Sequence, residues 1–339
     1  MITSWKRKKR WYALCPEILM PANALPVKPF DVLVVGELNV DLILNHIDRP
    51  AAVGKEVLAN ALTLTLGSSS AIFASNLRTL GSRVTFSGKI GHDDFGDHVL
   101  SSLRKKGVDT SNIISSNETS TGATIVLNYG EDRAMVTHPG AMGEFTIDDI
   151  PTSVFQQARH MHVSSIFLQP GLKKDVIQLF ANAKAAGMST SLDPQWDPAE
   201  EWKIDFHKLL PYVDVFMPNS KELECITGME DTVVAMGSLS TANIIVVKNG
   251  SAGASLLQGN EVLHQSSFLN PNVVDSIGAG DSFDAGFIHK FIQQRPLREC
   301  LEFAALTGAI NTTMPGGTSA FEDIDTVKKI ARASFNYTF

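Results

Sequence analysis

The segment Asp275-Ser276-Ile277-Gly278-Ala279-Gly280-Asp281-Ser282-Phe283 places two glycines and an acid where a loop turns into a helix. Beyond it Phe283, Ala285, Gly286, Phe287, Ile288 and Phe291 recur at mostly helical spacing, so Gly278 to Asp281 is expected to form the first turn. Backbone N–H groups in such a turn have no intrahelical acceptor and can receive phosphate oxygens. Glycine lets the backbone approach a ligand closely, and Asp281 lies within reach of a hydroxyl docked against the same turn. The chemistry this suits is phosphoryl transfer to an alcohol. A helix start with Asp as its cap has the same sequence, so the motif by itself leaves two readings open.

An acid beside an anion hole needs a rigid scaffold. From Asp31 onward apolar runs at Val32 to Val35, Val84 to Ser87, Met161 to Val163, Met188 to Leu192, Val213 to Met217 and Ile244 to Val247 alternate with helical stretches. The helical stretches include Ala71 to Leu80, Lys173 to Ala186 and Lys221 to Thr227. This punctuation predicts an α/β fold with a mainly parallel sheet covered by helices on both faces. Two segments depart from it. Val57 to Leu66 contains the alternation Leu62-Thr63-Leu64-Thr65-Leu66, and Ala123 to Thr137 reads as two short strands around Tyr129-Gly130-Glu131-Asp132. Alternation means one covered and one wet face, so these strands are expected to form a small lid sheet from about 44–66 and 120–138. An edge hairpin with no mobile role is the plainer reading of the same pattern.

The chain has 339 residues, 44% of them hydrophobic, enough for one large domain, taken as 30–333 with a tail at 334–339. A net charge of −7 argues against a nucleic-acid binder, and no apolar run is long enough for a membrane span. Cys15, Cys225 and Cys300 are too few and too far apart for a disulfide framework or a structural zinc site, so a reducing cytoplasm is expected. Residues 1–29 carry the basic run Lys6-Arg7-Lys8-Lys9-Arg10 and three prolines, and are expected to be a poorly ordered extension. Met20 is an alternative start. His92, His138, His160 and His162 lack metal spacing and receive no ligand role.

Three motifs resemble the ribokinase-like, or PfkB, carbohydrate kinases, and the resemblance runs from about Val32 to Arg332. DSIGAGDSF is similar to the family's signature DTxGAGDxF, with Ser276 in place of the commoner Thr. Gly67 to Gly81, GSSSAIFASNLRTLG, sits where the family has its glycine-rich N-terminal signature, and Asn219-Ser220-Lys221-Glu222 is similar to its NxxE motif. The resemblance implies a kinase that uses ATP and Mg2+. Asp281 would be the base that takes the acceptor's proton, and the N–H groups of Gly278, Ala279 and Gly280 would hold the transferring phosphoryl charge. Asn219 and Glu222 would organise Mg2+ through its waters, although AsnxxGlu is also a capping box. Lys248 would approach phosphate from a turn built on Gly250 and Gly253, or stand solvated beside that turn. Asn311 and the loop Met314-Pro315-Gly316-Gly317 would wall the adenine. The carbonyls around Asp275 and Ile277 would offer a site for K+.

On the acceptor side Asn39 and Asp41 follow a strand end and share a face, which suits hydrogen bonds to sugar hydroxyls. An Asx turn capping the strand is the simpler alternative. Gly67 would continue the site. The family commonly has a second glycine and then a sugar-contacting Asn, where this chain has Ser68 and Ile72; that removes an amide donor and leaves the hydroxyls of Ser68, Ser69 and Ser70. Arg133 would close over the acceptor or bind an anionic group on it, or pair with local acids. Gln169 lies just beyond a later strand, where relatives touch the acceptor, Asp193 opens a loop that resembles the Asp-rich loop near the acceptor or phosphate site in sugar kinases, and Trp196 would stack on a sugar face or pack under its loop.

The expected activity is ATP-dependent phosphorylation of a hydroxyl, primary by preference, on a small sugar or sugar derivative. Nucleoside or sugar-phosphate acceptors, and a silent sugar-binding or regulatory relative, are the alternatives. A nicotinamide-dependent oxidoreductase is a rival suggested by the early strand ending at Gly36, but Gly36-Glu37-Leu38-Asn39 is not GxGxxG and the helix expected after it is missing, which argues against it. No nucleic acid or membrane partner is expected. A homodimer is, because relatives often pair through their lid strands and Leu62, Leu64 and Leu66 would give that surface an apolar face, although the same leucines would equally serve to cover the chain's own pocket.

Overall fold

The structure is a computed structural model that describes residues 28–129 and 133–339. Nearly all of the basic extension, and residues 130–132 of the expected hairpin turn, lie outside the described residues. Thirteen strands are present among those described: β1 (Phe30–Val35), β2 (Asn39–Asn45), β3 (Ala61–Leu66), β4 (Val84–Gly91), β5 (Asp109–Ser116), β6 (Gly122–Asn128), β7 (Arg133–His138), β8 (Ala158–Ser164), β9 (Ser189–Asp193), β10 (Val215–Phe216), β11 (Ile244–Lys248), β12 (Ala254–Gln258) and β13 (Glu261–Gln265).

Nine of them form one sheet in the order β13-β12-β11-β10-β9-β8-β1-β4-β5, parallel from β5 to β11, with β12 and β13 added antiparallel. Val32 to Val35 are fully buried because β1 is covered on both faces. The pleat then assigns its side chains alternately. Val32 and Val34 join the core built around Phe73, Phe86, Phe287 and Phe303, while Leu33 and Val35 join a second core around Phe145, Phe180 and Phe216. The mainly parallel, helix-covered sheet expected from the sequence is what the chain forms.

The remaining four strands make a separate lid sheet, β3-β2-β6-β7. Its pairing is antiparallel except between β2 and β6. Two boundaries differ from expectation. No strand lies in 46–60, and β3 begins only at Ala61. The larger surprise is β2, which follows β1 after only three residues, so Asn39 and Asp41 belong to the lid rather than to the end of a core strand. The sequence placed Asn39 and Asp41 just past a strand end, because nothing in the segment marks the start of a strand in another sheet.

Smaller departures have local causes. The helical stretch expected at Lys173 to Ala186 is two pieces, Pro170–Lys173 and Val176–Ala185. The last helix runs Ile324–Phe335, and Tyr337 and Phe339 then pack edge-on against Phe268 and Phe303, so the expected tail is partly folded. Among the described residues no helix is long and apolar enough to cross a membrane.

Candidate active site

Polar residues, several of them singled out in the sequence, gather at one edge of the large sheet, at and just beyond the carboxyl ends of its parallel strands. Glu37 follows β1, Ser164 ends β8, Asp193 ends β9, Asn219 follows β10 and Lys248 ends β11. The strand order reverses beside β1, whose neighbours are β4 and β8, and such a reversal opens a crevice at the carboxyl edge. The lid stands over this edge through β2.

The motif helix spans Ala279–Phe291, and Gly278, with φ 75°, is its N-cap. Asp281 is therefore in the first turn and is not the cap, which resolves one of the two sequence readings. A Cβ on Gly278 would lie 2.5 Å from the Gly317 Cα, so glycine is required by backbone conformation and by space. No side chain caps this end, unlike the helices Ser69–Thr79 and Ser220–Thr227, which are capped by Ser68 and Asn219. An uncapped, positively polarised helix end is what an anion requires. Gly280 leaves its side open, and the nearest atom to a Cβ there would be Lys248 Nζ at 3.8 Å.

Asp281 is 6% exposed, and burial, then the Asp193 charge, raises its carboxyl to about 7. A base with that value is half ionised near neutrality, where general-base catalysis is most effective. Gln195 Nε2 bridges two acids, donating to Asp281 Oδ1 at 3.1 Å and Asp193 Oδ2 at 2.7 Å, from a residue held at φ 58°. Lys248 Nζ donates to Asp193 Oδ2 at 2.7 Å and Asp284 Oδ2 at 3.1 Å. Burial alone would discharge this lysine, but Asp193 and Asp284 raise it above its ordinary 10.5 and keep it charged. Burial pushes Asp284 well above the usual carboxylate range despite Lys248. Lys248 thus serves first as the counter-ion of a buried acid cluster, and Asp193 is its partner rather than an exposed acceptor contact.

On the lid side, Asn39 and Asp41 are buried and face Gly67. A Cβ at Gly67 would come within 2.3 Å of Asp41 Oδ1 and 2.5 Å of Asn39 Oδ1, so the glycine preserves space around two oxygen acceptors. Asn39 Nδ2 donates to Thr124 Oγ1 at 2.8 Å, while its Oδ1 has no partner among the described residues. Burial, then the charges of Glu37 and Asp275, raises Asp41 to about 7. Glu37 is itself raised by burial, and it holds the backbone N–H of Ser70 at 3.1 Å and the Ser70 hydroxyl.

The serines expected to replace the missing amide are divided. Ser68 sits at φ 72°, ψ 122°, a region glycine occupies without strain, and is held there because its hydroxyl donates to the Glu37 carbonyl and accepts from the Ala71 N–H. Ser70 is committed to Glu37 and Ser164, whereas Ser69 reaches Asp281. Ile72 packs near Gly278 and Gly317, under the motif loop. Gln169 is fully buried, and its Nε2 donates to the carbonyls of Ser164 and Ser165, while its Oε1 has no partner among the described residues. Arg133, on β7, donates to Ser276 Oγ at 3.2 Å and so ties the lid to the motif loop, without an ion pair among the described residues. Trp196 is 41% exposed and stands edge-on to Trp202 at 5.3 Å.

Asn219 and Glu222 form a reciprocal capping box, in which the carboxylate accepts from the Asn219 N–H at 2.9 Å and from Nδ2 at 2.6 Å. Burial and then Asp193 raise Glu222 to about 7. With both oxygens bonded to Asn219, Glu222 fits Mg2+ through water and not as a direct ligand. Among the described residues no group of three or more His, Cys, Asp or Glu side chains forms a metal cage. Gly250 and Gly253 flank the turn between β11 and β12. Asn311 is fully buried, donating to the Ile277 carbonyl at 2.6 Å and accepting from Ser282 at 3.0 Å, so it anchors the motif loop from beneath. Asp275 pins the same loop by accepting the N–H groups of Ile277 at 2.9 Å and Gly316 at 2.8 Å. His160 and His162 are buried on β8 and hydrogen-bonded to serines, and burial lowers His160 to about 3.

Sequence reasoning missed Glu37, Gln195 and Asp284. Asp284 had a signal, since it lies one helical turn after Asp281 and an acid on that apolar face needs a partner. Gln195 and Glu37 had none, because their roles depend on groups brought together from distant strands.

Residues 30–324 match the family described as pfkB family carbohydrate kinase. The chain is 28% identical over 257 residues to a 2-dehydro-3-deoxygluconokinase of Bacillus subtilis, covering 72% of this chain and 79% of the other. It is 24% identical over 328 residues to a 5-dehydro-2-deoxygluconokinase of Geobacillus thermodenitrificans, covering 91% and 95%. The structure resembles that of Arabidopsis thaliana ribokinase complexed with ribose and ATP, with a TM-score of 0.78, 25% identity, and coverage of 90% and 99%.

Proposed function

The chain belongs to the pfkB family of carbohydrate kinases, and from that premise we propose that it transfers the γ-phosphoryl group of ATP to a hydroxyl, by preference a primary one, of a small sugar or sugar derivative. The observation that carries this reading is a buried carboxylate, Asp281, in the first turn of a helix whose N-terminus no side chain caps. Asn39 and Asp41 accept from the sugar's hydroxyls, and the attacking hydroxyl gives its proton to Asp281 as its oxygen bonds to the γ-phosphorus and the bond from that phosphorus to the bridging oxygen breaks, releasing ADP. The N–H groups of the Gly278 to Gly280 turn and the charge of Lys248 offset the negative charge on the phosphoryl oxygens. Asn219 and Glu222 would hold Mg2+ through water, and the ion, when bound, would supply neutralisation of phosphate charge. The lid, latched at Arg133 and Ser276, excludes water that would otherwise accept the phosphoryl group.

A sugar-phosphate acceptor is less well supported, because Glu37, Asp41 and Asp275 surround the acceptor seat with carboxylates. ATP consumption with Mg2+ should be measured across pentoses, hexoses, deoxy-keto sugar acids, nucleosides and sugar phosphates. Turnover that requires a neutral or acidic free sugar and disappears with EDTA is expected. Selective turnover of phosphosugars or nucleosides, or none with any acceptor, would reject the reading.

The outer face of the lid supports a homodimer. Leu64, Leu42, Ile125 and Val136 stand in one cross-strand row through all four lid strands, and Leu64, Ile125 and Val136 are at least 41% exposed. The neighbouring row on the inner face, Thr65-Asp41-Thr124-Thr137, is polar. A row this apolar and this accessible suits a second copy of the same sheet. Light scattering should give twice the chain mass for the wild type and the single-chain mass for Leu64→Glu. A monomeric wild type would refute the assembly.

A further inference from the structure

Gln195 stands in the loop that leaves β9 with φ 58°, in the left-handed region that a residue with a long side chain seldom occupies. Such an outlier persists only where its surroundings over-determine it, and beside a site it points to a role. The loop is fastened on both sides of Gln195. Asp193 Oδ1 accepts the Gln195 N–H at 3.4 Å, and Asp197, 2% exposed, accepts the N–H groups of Ala199 at 3.0 Å, Glu201 at 3.2 Å and Trp202 at 2.8 Å. Only the nitrogen of a glutamine amide donates, and it carries two N–H groups. Nε2 directs one to Asp193 Oδ2 at 2.7 Å and the other to Asp281 Oδ1 at 3.1 Å. Asp193 is itself fully buried and held by Lys248 at 2.7 Å, so the amide is aimed at Asp281 from an anchored neighbour.

Resting on the kinase reading above, we infer that Gln195 is a positioning residue for the transfer: one N–H ties its amide to Asp193, and the other orients the carboxylate of the base. The charges around that carboxylate show why a donor is needed. Asp193 at the end of β9, Glu37 after β1, Glu222 on the helix Ser220–Thr227 and Asp284 one turn further along its own helix all oppose the ionisation of Asp281 when they are charged. Against them stand the Lys248 ammonium, the Ser69 hydroxyl and the Gln195 amide. A donor to the carboxylate favours its ionised form, the one able to take the acceptor's proton. Being neutral, the amide donates at every pH and does not compete for that proton.

The test compares Gln195→Met, which keeps the length and removes the donor, with Gln195→Glu, which keeps the shape and replaces the donor by a further acid. ATP affinity reports folding, and should Gln195→Met lose it, Gln195→Glu carries the comparison. Losing one hydrogen bond to a charged group should move the ionisation of Asp281 upward by about one pH unit, so kcat in Gln195→Met should fall about fivefold at pH 7 and return to within about twofold of wild type at pH 9. KM for sugar and for ATP should stay within a few-fold, and Gln195→Glu should move the profile further. Glu222 is also raised to about 7, so a second readout assigns the change. That readout is the carboxyl carbon NMR resonance missing from Asp281→Asn, whose midpoint should rise with the rate profile. A loss of rate equal at every pH, an unchanged rate, or a resonance that does not move would overturn the inference. A resonance that moves in a protein that phosphorylates no acceptor would leave the hold on Asp281 standing and refute the kinase reading instead.

Discussion

Asp281→Asn should reduce turnover by about 10²-fold to 10⁴-fold while leaving sugar and ATP binding within a few-fold, since it removes the proton acceptor and preserves the shape. In the wild type, kcat/KM should rise with pH through about 7 and then level, because the carboxyl raised to that value must be ionised to act. The same substitution should stabilise the fold. On unfolding, Asp281 returns from about 7 to its ordinary 3.8, so between those values the unfolded chain has released a proton that the native state retains, and stability falls as pH rises. Asn carries no such penalty. At pH 8 the variant should be more stable by about 1–4 kcal/mol, with the gain vanishing below pH 4. Urea denaturation at both pH values, alongside initial rates, checks this. A variant that is inactive and less stable at pH 8 would mean that Asp281 is a structural acid.

The second large effect is expected at Lys248. Lys248→Met leaves Asp193 and Asp284 buried without their cation, a loss of about 3–5 kcal/mol of the kind seen when one partner of a buried pair is removed. Because the lysine is raised above 10.5, its stabilisation persists through the neutral range and is lost only in strong alkali. In the variant, acidification should restore part of the stability, since Asp284 already resists ionisation and takes a proton early as pH falls. A urea series from pH 5 to pH 9 separates this from a packing defect, for which the loss would be independent of pH. Turnover should fall as well, because the ammonium stands beside Gly280 at the anion hole. Full stability and full activity in Lys248→Met would show that the lysine is dispensable.

Both expectations concern residues that the sequence marked to different degrees. Asp281 was legible because helical periodicity after Gly280 and glycine before it fix the acid's place in the first turn, a local matter of a few residues. Strands β1, β4, β8, β9, β10 and β11 of the large sheet were legible for a related reason, since continuous apolar runs bounded by turns leave few alternatives to a strand buried on both faces, whereas β5, β12 and β13 toward its two edges carry no such run and were missed. Lys248 was read as approaching phosphate or standing solvated beside its turn. Its main partners lie 55 and 36 residues away in sequence, and nothing local announces them. The lid was seen as alternation at β3, β6 and β7, yet β2 was missed, because nothing in its segment marks the start of a strand in another sheet.

The amino-acid sequence by itself determined the periodicities, the glycine-flanked helix start and the capping box at Asn219 and Glu222, because each depends on neighbours within one or two turns of chain. Only the tertiary structure decided which acids face one another, that Gln195 bridges Asp193 and Asp281, that Glu37 secures Ser70, and that Ser68 and Asn311 turn their polar groups inward. Burial and charge proximity are properties of the assembled sheet edge. They follow from where the strand ends converge, which no single segment encodes.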